Sequence, residues 1–158
     1  MFDIVTDSVF TLKNVQINVC EDSEYLLRCT GNRNARGWGK SGANGANCTF
    51  NAISQQLNGD VIYDSISNLT LNLTEGSTLT GAIIDDESCA GIGGEGRCEV
   101  MIDTASAWIV TGDSTIASLR NAGTLTDAEG KSVTIVGTDG TIYQQGESMW
   151  SVTVNEYI

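Results

Sequence analysis

The chain has 158 residues and a net charge of −12, from 20 acidic and eight basic residues, and it lacks both histidine and proline. This length suits one domain, and the negative charge argues against nucleic acid as a partner, because phosphate binding needs a basic surface. The lack of histidine excludes Ser-His-Asp, Cys-His and histidine–metal chemistry within the chain. Apolar residues make up 41% of the sequence, which is enough for a substantial core.

Apolar and polar residues alternate with a period of two along much of the chain, and this pattern predicts half-buried β-strands. The clearest segments are, in chain order, residues 11–19, 68–74, 132–135 and 150–154. Turn signals rich in Gly, Asp and Ser separate them. A helix-like pattern is confined to a short stretch, residues 116–121. We therefore predict an all-β protein.

An internal repeat indicates how these strands are arranged. Residues 57–64 align with residues 79–86, 22 positions later, and residues 77–80 align with residues 114–117, 37 positions later. A Gly-rich insertion at about residues 86–98 accounts for the longer spacing. Short strands that repeat about every 20 residues are typical of a solenoid, in which each coil buries its apolar face against the next. A β-sandwich is the alternative, since short alternating strands also suit that fold.

Five segments of the chain resemble a known family. Residues 37–45, Gly-Trp-Gly-Lys-Ser-Gly-Ala-Asn-Gly, are similar to a stretch of right-handed parallel β-helix surface proteins from Gram-positive bacteria, many of which are described as adhesin-like. The segments that follow in that family are matched by residues 56–59, 64–69, 76–81 and 108–114. The resemblance covers about residues 37–154. It implies a right-handed, single-stranded parallel β-helix, and it implies little about activity because the family has no agreed catalytic residues.

Repeat and resemblance together predict a single β-helix domain over residues 1–158, with inserted loops at about 30–47 and 86–98. The expected function is that of a non-enzymatic, extracellular structural or adhesive module. No capping helix is visible in the sequence, and uncapped coils favour self-association end to end. Partners would be a further copy of the chain, bound head to tail, or a surface glycan or protein. A carbohydrate-binding or polysaccharide-cleaving β-helix is the alternative.

The loop at residues 30–47 is the candidate binding site. Arg33, Arg36 and Lys40 flank Trp38 in a stretch without any acidic residue, and long ordered loops are often functional. Such a cationic, aromatic surface suits stacking on a sugar ring or docking on an acidic face of the next subunit. The alternative is that Trp38 folds back as a plug on the end of the β-helix while the charges are solvated.

The five cysteines form no Cys-x-x-Cys motif, so neither a zinc ribbon nor a thioredoxin site is predicted. Well-separated cysteines in an acidic chain rich in Ser, Thr and Asn indicate an extracellular or cell-surface protein whose leader is not present in this chain. The disulfide candidates are Cys89–Cys98, which would close the Gly-rich insertion, and Cys29–Cys48, which lie about one coil apart. Cys20–Cys29 is the competing pair. No apolar run approaches the ~18–20 residues of a membrane span, so no membrane insertion is expected.

No catalytic, cofactor or metal site is predicted. Residues 85–87, Asp-Asp-Glu, are similar to the paired carboxylates of polysaccharide hydrolases, but an acidic turn entering the insertion is the preferred interpretation. Asp113, Asp127 and Asp139 lie in predicted turns and would chelate calcium only if those turns stacked. We expect them to be solvated turn residues.

Overall fold

The computed structural model describes residues 2–4, 6–19, 22–31, 42, 44–88 and 94–158. In these residues every regular element is a β-strand, and no helix that could cross a membrane is present among them. The strands are β1 (Phe2–Ile4), β2 (Ser8–Lys13), β3 (Leu27–Cys29), β4 (Asn47–Ile53), β5 (Gln56–Asn58), β6 (Val61–Tyr63), β7 (Asn68–Thr74), β8 (Thr78–Thr80), β9 (Ile83–Asp85), β10 (Arg97–Ile102), β11 (Ala107–Val110), β12 (Ser114–Asn121), β13 (Thr124–Asp127), β14 (Thr134–Gly137), β15 (Ile142–Gln144) and β16 (Ser151–Tyr157).

The strands form three sheets. Sheet A has the order β1-β3-β6-β9, sheet B the order β15-β14-β16-β12-β10-β7-β4-β2, and sheet C the order β13-β11-β8-β5. Between β3 and β11 the chain visits sheets A, B and C in that order three times. Neighbouring strands pair in parallel, except for the antiparallel pair β14–β15. The all-β prediction is therefore confirmed, and parallel sheets do not fit the antiparallel sheets of a β-sandwich.

The register of the strands tests the two predicted repeats. The first is confirmed, since Leu57 pairs with Leu79 and Val61 pairs with Ile83. The second is wrong, because Leu79 pairs on its other side with Trp108 and not with Ile116. Ile116 lies in β12, which belongs to sheet B. A Ser-Thr-apolar pattern opens strands in more than one sheet, so the pattern alone does not identify the neighbour.

Two strand boundaries differ from the sequence prediction. The predicted strand over residues 11–19 ends at Lys13, because Asn14 adopts a left-handed backbone conformation with φ of 51°. Beyond it, the backbone N–H and carbonyl of Val15 bond to the side-chain amide of the buried Gln55. The helix-like stretch at residues 116–121 lies within strand β12.

The core lies between the three sheets, and its inward positions follow the period of two. The apolar residues of the predicted strand segments 68–74 and 132–135 are all at most 1% exposed: Leu69, Leu71, Leu73, Val133 and Ile135. Among the described residues Trp108 is the largest fully buried side chain, and its indole N–H donates a 2.8 Å hydrogen bond to the backbone oxygen of Gly81. Trp108 is thus a core residue.

The hydrogen bond of Trp108 predicts a specific loss of stability. Trp108→Phe keeps an aromatic ring but leaves the Gly81 oxygen unpaired and a small void, so we expect the free energy of unfolding to fall by about 2–4 kcal/mol. Trp150→Phe is the matched control, because Trp150 is only partly buried and should lose less than about 1 kcal/mol. Urea unfolding of both variants measures the difference. Equal losses in the two variants would contradict this role of Trp108.

Candidate functional site

The predicted binding residues Arg33, Arg36, Trp38 and Lys40 lie outside the described residues. The cationic loop therefore stays a prediction. The structure does describe the residues on either side of it, and these show where the loop joins the rest of the fold.

Both ends of the first insertion, residues 30–47, pack on residues 64–67, which we call the corner turn. The backbone N–H of Gly31 donates a 2.7 Å hydrogen bond to the Asp64 carboxylate. At the other end, the backbone N–H of Ala46 donates a 3.1 Å bond to the Ser67 hydroxyl. The corner turn connects β6 to β7 directly, whereas the insertion connects β3 to β4.

The second insertion, at about residues 86–98, packs on the opposite side of the same turn. The backbone N–H of Gly94 donates a 3.0 Å bond to the Ser65 hydroxyl, and that of Gly96 bonds to the Ser65 carbonyl. The Glu87 carboxylate accepts the backbone N–H of Ser65 at 2.7 Å and also its hydroxyl. The insertion ends slightly earlier than predicted, because β10 begins at Arg97.

The insertions approach the corner turn so closely that two positions in them have room only for glycine. A Cβ atom at Gly45 would lie 1.6 Å from the backbone oxygen of Ile66, and one at Gly96 would lie 2.3 Å from that of Ser67. Only glycine permits backbone contacts of this kind. The parallel order β3-β6-β9 in sheet A places the corner turn between the two insertions. The corner between sheets A and B is therefore the candidate functional site.

Carboxylates concentrate at this corner. Asp85 and Glu87 are hydrogen-bonded to each other, and burial, this contact and the charges of Glu87, Asp64 and Asp86 raise the pKa of Asp85 to about 7. Partial burial opposes ionisation of Glu87, but hydrogen bonds from Asp85 and Ser65 lower its pKa overall. The two groups thus share a proton near neutral pH.

Asp64 is the most deeply buried acid of the corner. It is 0% exposed, and one of its oxygens accepts the Gly31 N–H while the other has no hydrogen-bond partner among the described residues. The described residues contain no group of three or more histidine, cysteine or acidic side chains suited to a metal ion. The corner is therefore an acidic surface with one incompletely satisfied carboxylate.

The expectation of solvated turn acids fits Asp113 and Asp139, which are exposed and lie outside the strands, but it is wrong for Asp127, the last residue of β13, which is 7% exposed. The Oδ1 atom of each accepts backbone N–H bonds of 2.9 Å: Asp113 from Ser151, Asp127 from Glu129 and Lys131, and Asp139 from Thr141. Their carboxylates are thus used to satisfy backbone donors.

Cys29, Cys48 and Cys98 are buried free thiols, whereas Cys20 and Cys89 lie outside the described residues. The pairs Cys89–Cys98 and Cys20–Cys29 therefore stay predictions. The reason given for Cys29–Cys48 is wrong, because the two residues do not stack in neighbouring coils. They lie on consecutive strands, β3 and β4, at the two ends of the first insertion.

Sequence reasoning missed a polar surface on the outer face of sheet B. Asn51 donates a 3.3 Å side-chain bond to Thr11 and accepts a 2.8 Å bond from Asn72. A second ladder runs in the same way from Asn68 through Asn47 to Asp7. The spacing of 21 residues within each asparagine pair was the available signal.

No protein-family model, curated protein or solved structure matches the chain. The family resemblance of the sequence motifs is therefore carried by those motifs alone.

The raised pKa of Asp85 predicts a pH-dependent effect of Asp85→Asn. Since folding raises this pKa from 3.8 to about 7, ionisation of Asp85 costs stability as the pH rises through that interval. The variant removes this cost, so its stability relative to the wild type should be greater at pH 8 than at pH 4. The difference should be small, because Asp85 remains exposed to solvent.

Urea unfolding at both pH values measures this change. Glu95→Gln is the control, because Glu95 is an exposed acid of the same insertion. A Glu95→Gln variant with the same pH dependence as Asp85→Asn would contradict the role of the Asp85–Glu87 pair.

Proposed function

We propose that the chain is a right-handed, single-stranded parallel β-helix. The repeated order of sheets A, B and C and the in-register parallel pairing support this fold. Strand spacing of about 4.8 Å would separate successive coils. The two insertions would then emerge from neighbouring coils on either side of the corner turn.

The proposed function is that of a non-enzymatic extracellular structural or adhesive module that associates end to end. One observation carries this proposal. Among the described residues, most exposed large hydrophobic side chains lie at the two ends of the stacked strands. Val9 and Val15 lie in or just after β2, and Ile142, Tyr143 and Met149 lie in or near β15, with exposures from 41% to 80%.

The edge strands support the same proposal. Strand β2 is the outermost strand of sheet B at one end, where it pairs only with β4 in the described structure. Its outer edge therefore offers unpaired backbone groups. At the other end of sheet B the outermost strand is β15, so the two ends of the sheet present different surfaces. Contact between unlike ends is heterologous, and such contacts build open filaments when they do not close into rings.

Sedimentation and light scattering over a wide range of protein concentration test this association. We expect the mean mass to rise with concentration in the wild type and to fall toward the monomer in Val9→Lys and in Ile142→Lys. Ile84→Lys is the matched control, because Ile84 is 37% exposed but lies between the ends, on β9. A monomeric wild type at high concentration, or equal effects of all three variants, would overturn the proposal.

Glycan binding is a second candidate, favoured by the outer face of sheet B. One shallow hollow there is lined by side chains that can bond to hydroxyl groups, among them Thr70, Asn72, Glu99 and Arg120.

A glycan array combined with a reducing-sugar assay tests this candidate. We expect Arg120→Ala to weaken any glycan signal and Lys131→Ala, on another part of the surface, to leave it unchanged. An array without signal would contradict glycan binding. Release of reducing sugar would contradict a non-enzymatic function.

A further inference from the structure

Cys29 and Cys48 meet inside the corner that carries the first insertion. Cys29 is the last residue of β3 and Cys48 the second residue of β4, and they are 0% and 3% exposed. The Cys29 sulfur lies 3.8 Å from the backbone oxygen of Asn68 and 4.0 Å from that of Ala46. Ala46 directly precedes β4, so these distances place the Cys29 sulfur at the start of that strand.

The backbone places Cys48 beside this sulfur. Ala46 and Cys48 are two residues apart in an extended segment and both are buried, so their side chains lie on the same face. Interaction with Cys48, together with burial, raises the pKa of Cys29, and interaction with Cys29 lowers the pKa of Cys48.

We propose that Cys29 and Cys48 are joined by a disulfide bond that closes the base of the insertion at residues 30–47. The Cys29 sulfur lies 4.0 Å from the backbone oxygen of Ala46, two residues before Cys48, so the two sulfurs can meet after a small displacement. The bond would tie together β3 and β4, which carry the two ends of the predicted cationic loop. It depends on neither end-to-end association nor glycan binding.

Cys98, the third buried thiol, is too far from Cys48 to form a disulfide with it, as the strand register of sheet B shows. Leu69 pairs with Cys48 on one side and with Cys98 on the other. Two strand spacings, about 9.6 Å, therefore separate the Cys48 and Cys98 backbones. A disulfide needs Cα atoms within about 7 Å. Cys98 thus serves as an internal control that is equally buried.

The chemistry is thiol–disulfide exchange with a small-molecule disulfide or a disulfide oxidoreductase as the oxidant. The thiolate of one of the two cysteines attacks one sulfur of the oxidant, which releases one thiolate and leaves a mixed disulfide. The other cysteine loses its proton to solvent and attacks the protein sulfur of that mixed disulfide, which releases the second thiolate of the oxidant. The two protein thiols give up two electrons and two protons, and the oxidant disulfide becomes two thiols. Because both cysteines are buried in the folded chain, the exchange takes place before the corner closes during folding.

Peptide mapping after folding tests the bond directly. Reduced, unfolded protein is refolded with reduced and oxidised glutathione, alkylated in denaturant and digested without reductant. We expect a peptide pair that links Cys29 to Cys48 and alkylation of Cys98 unless it is bound to Cys89. Alkylation of both Cys29 and Cys48, or a bond from Cys29 to Cys20, would overturn the proposal.

Thermal unfolding with and without reductant provides a second test. Cross-linking a loop of this length constrains the unfolded chain, so reductant should lower Tm of the oxidised wild type by about 10 °C. In a Cys89→Ser background, which removes any Cys89–Cys98 bond, Cys98→Ala should show the same drop and Cys29→Ser should show none. If reductant lowers Tm of Cys29→Ser as much as that of the wild type, the stabilising bond lies elsewhere and the proposal fails.

Discussion

In-register parallel pairing of short strands is the constraint on which the rest of the structure depends. A three-residue strand such as β5 or β8 has one inward side chain, so each of these strands contributes one residue to a column in the core. In sheet C that column consists of Leu57, Leu79, Trp108 and Leu125, all buried. Every member must be apolar, because a polar group there would lose its water without gaining a partner.

The same pairing places outward side chains beside their counterparts on the neighbouring strand. Asparagine suits such positions, since each amide both donates and accepts, as Asn51 does between Thr11 and Asn72. Carboxylates suit them poorly, because like charges at the same register repel. Asp85 shows the effect of crowding acids: its register partner is Tyr63, but burial and the nearby Glu87, Asp64 and Asp86 raise its pKa. Turns suit acidic residues better, because backbone N–H groups there can donate hydrogen bonds that stabilise the ionised carboxylates.

The sequence predicted what depends on local periodicity. The all-β class, the inward residues of β7 and the alignment of residues 57–64 with 79–86 follow from patterns uninterrupted by insertions. The alignment of residues 77–80 failed, because an insertion changes the spacing and a short motif does not identify its sheet. The corner was not predictable either. Its two insertions are far apart in sequence, and they meet only because β3, β6 and β9 are neighbours in sheet A.

The order of strands at one end of sheet B has a consequence for the route by which the chain folds. Strand β16 lies between β12 and β14, although β14 precedes it in the sequence. When residues 134–137 have been synthesised, β16, the strand that pairs with β12, has not yet been made. The β14–β15 hairpin can therefore join sheet B only after β16 has paired with β12. Addition of strands in chain order therefore cannot complete sheet B, and the last strand, β16, must form its non-local pairings with both β12 and β14, which are slow to form.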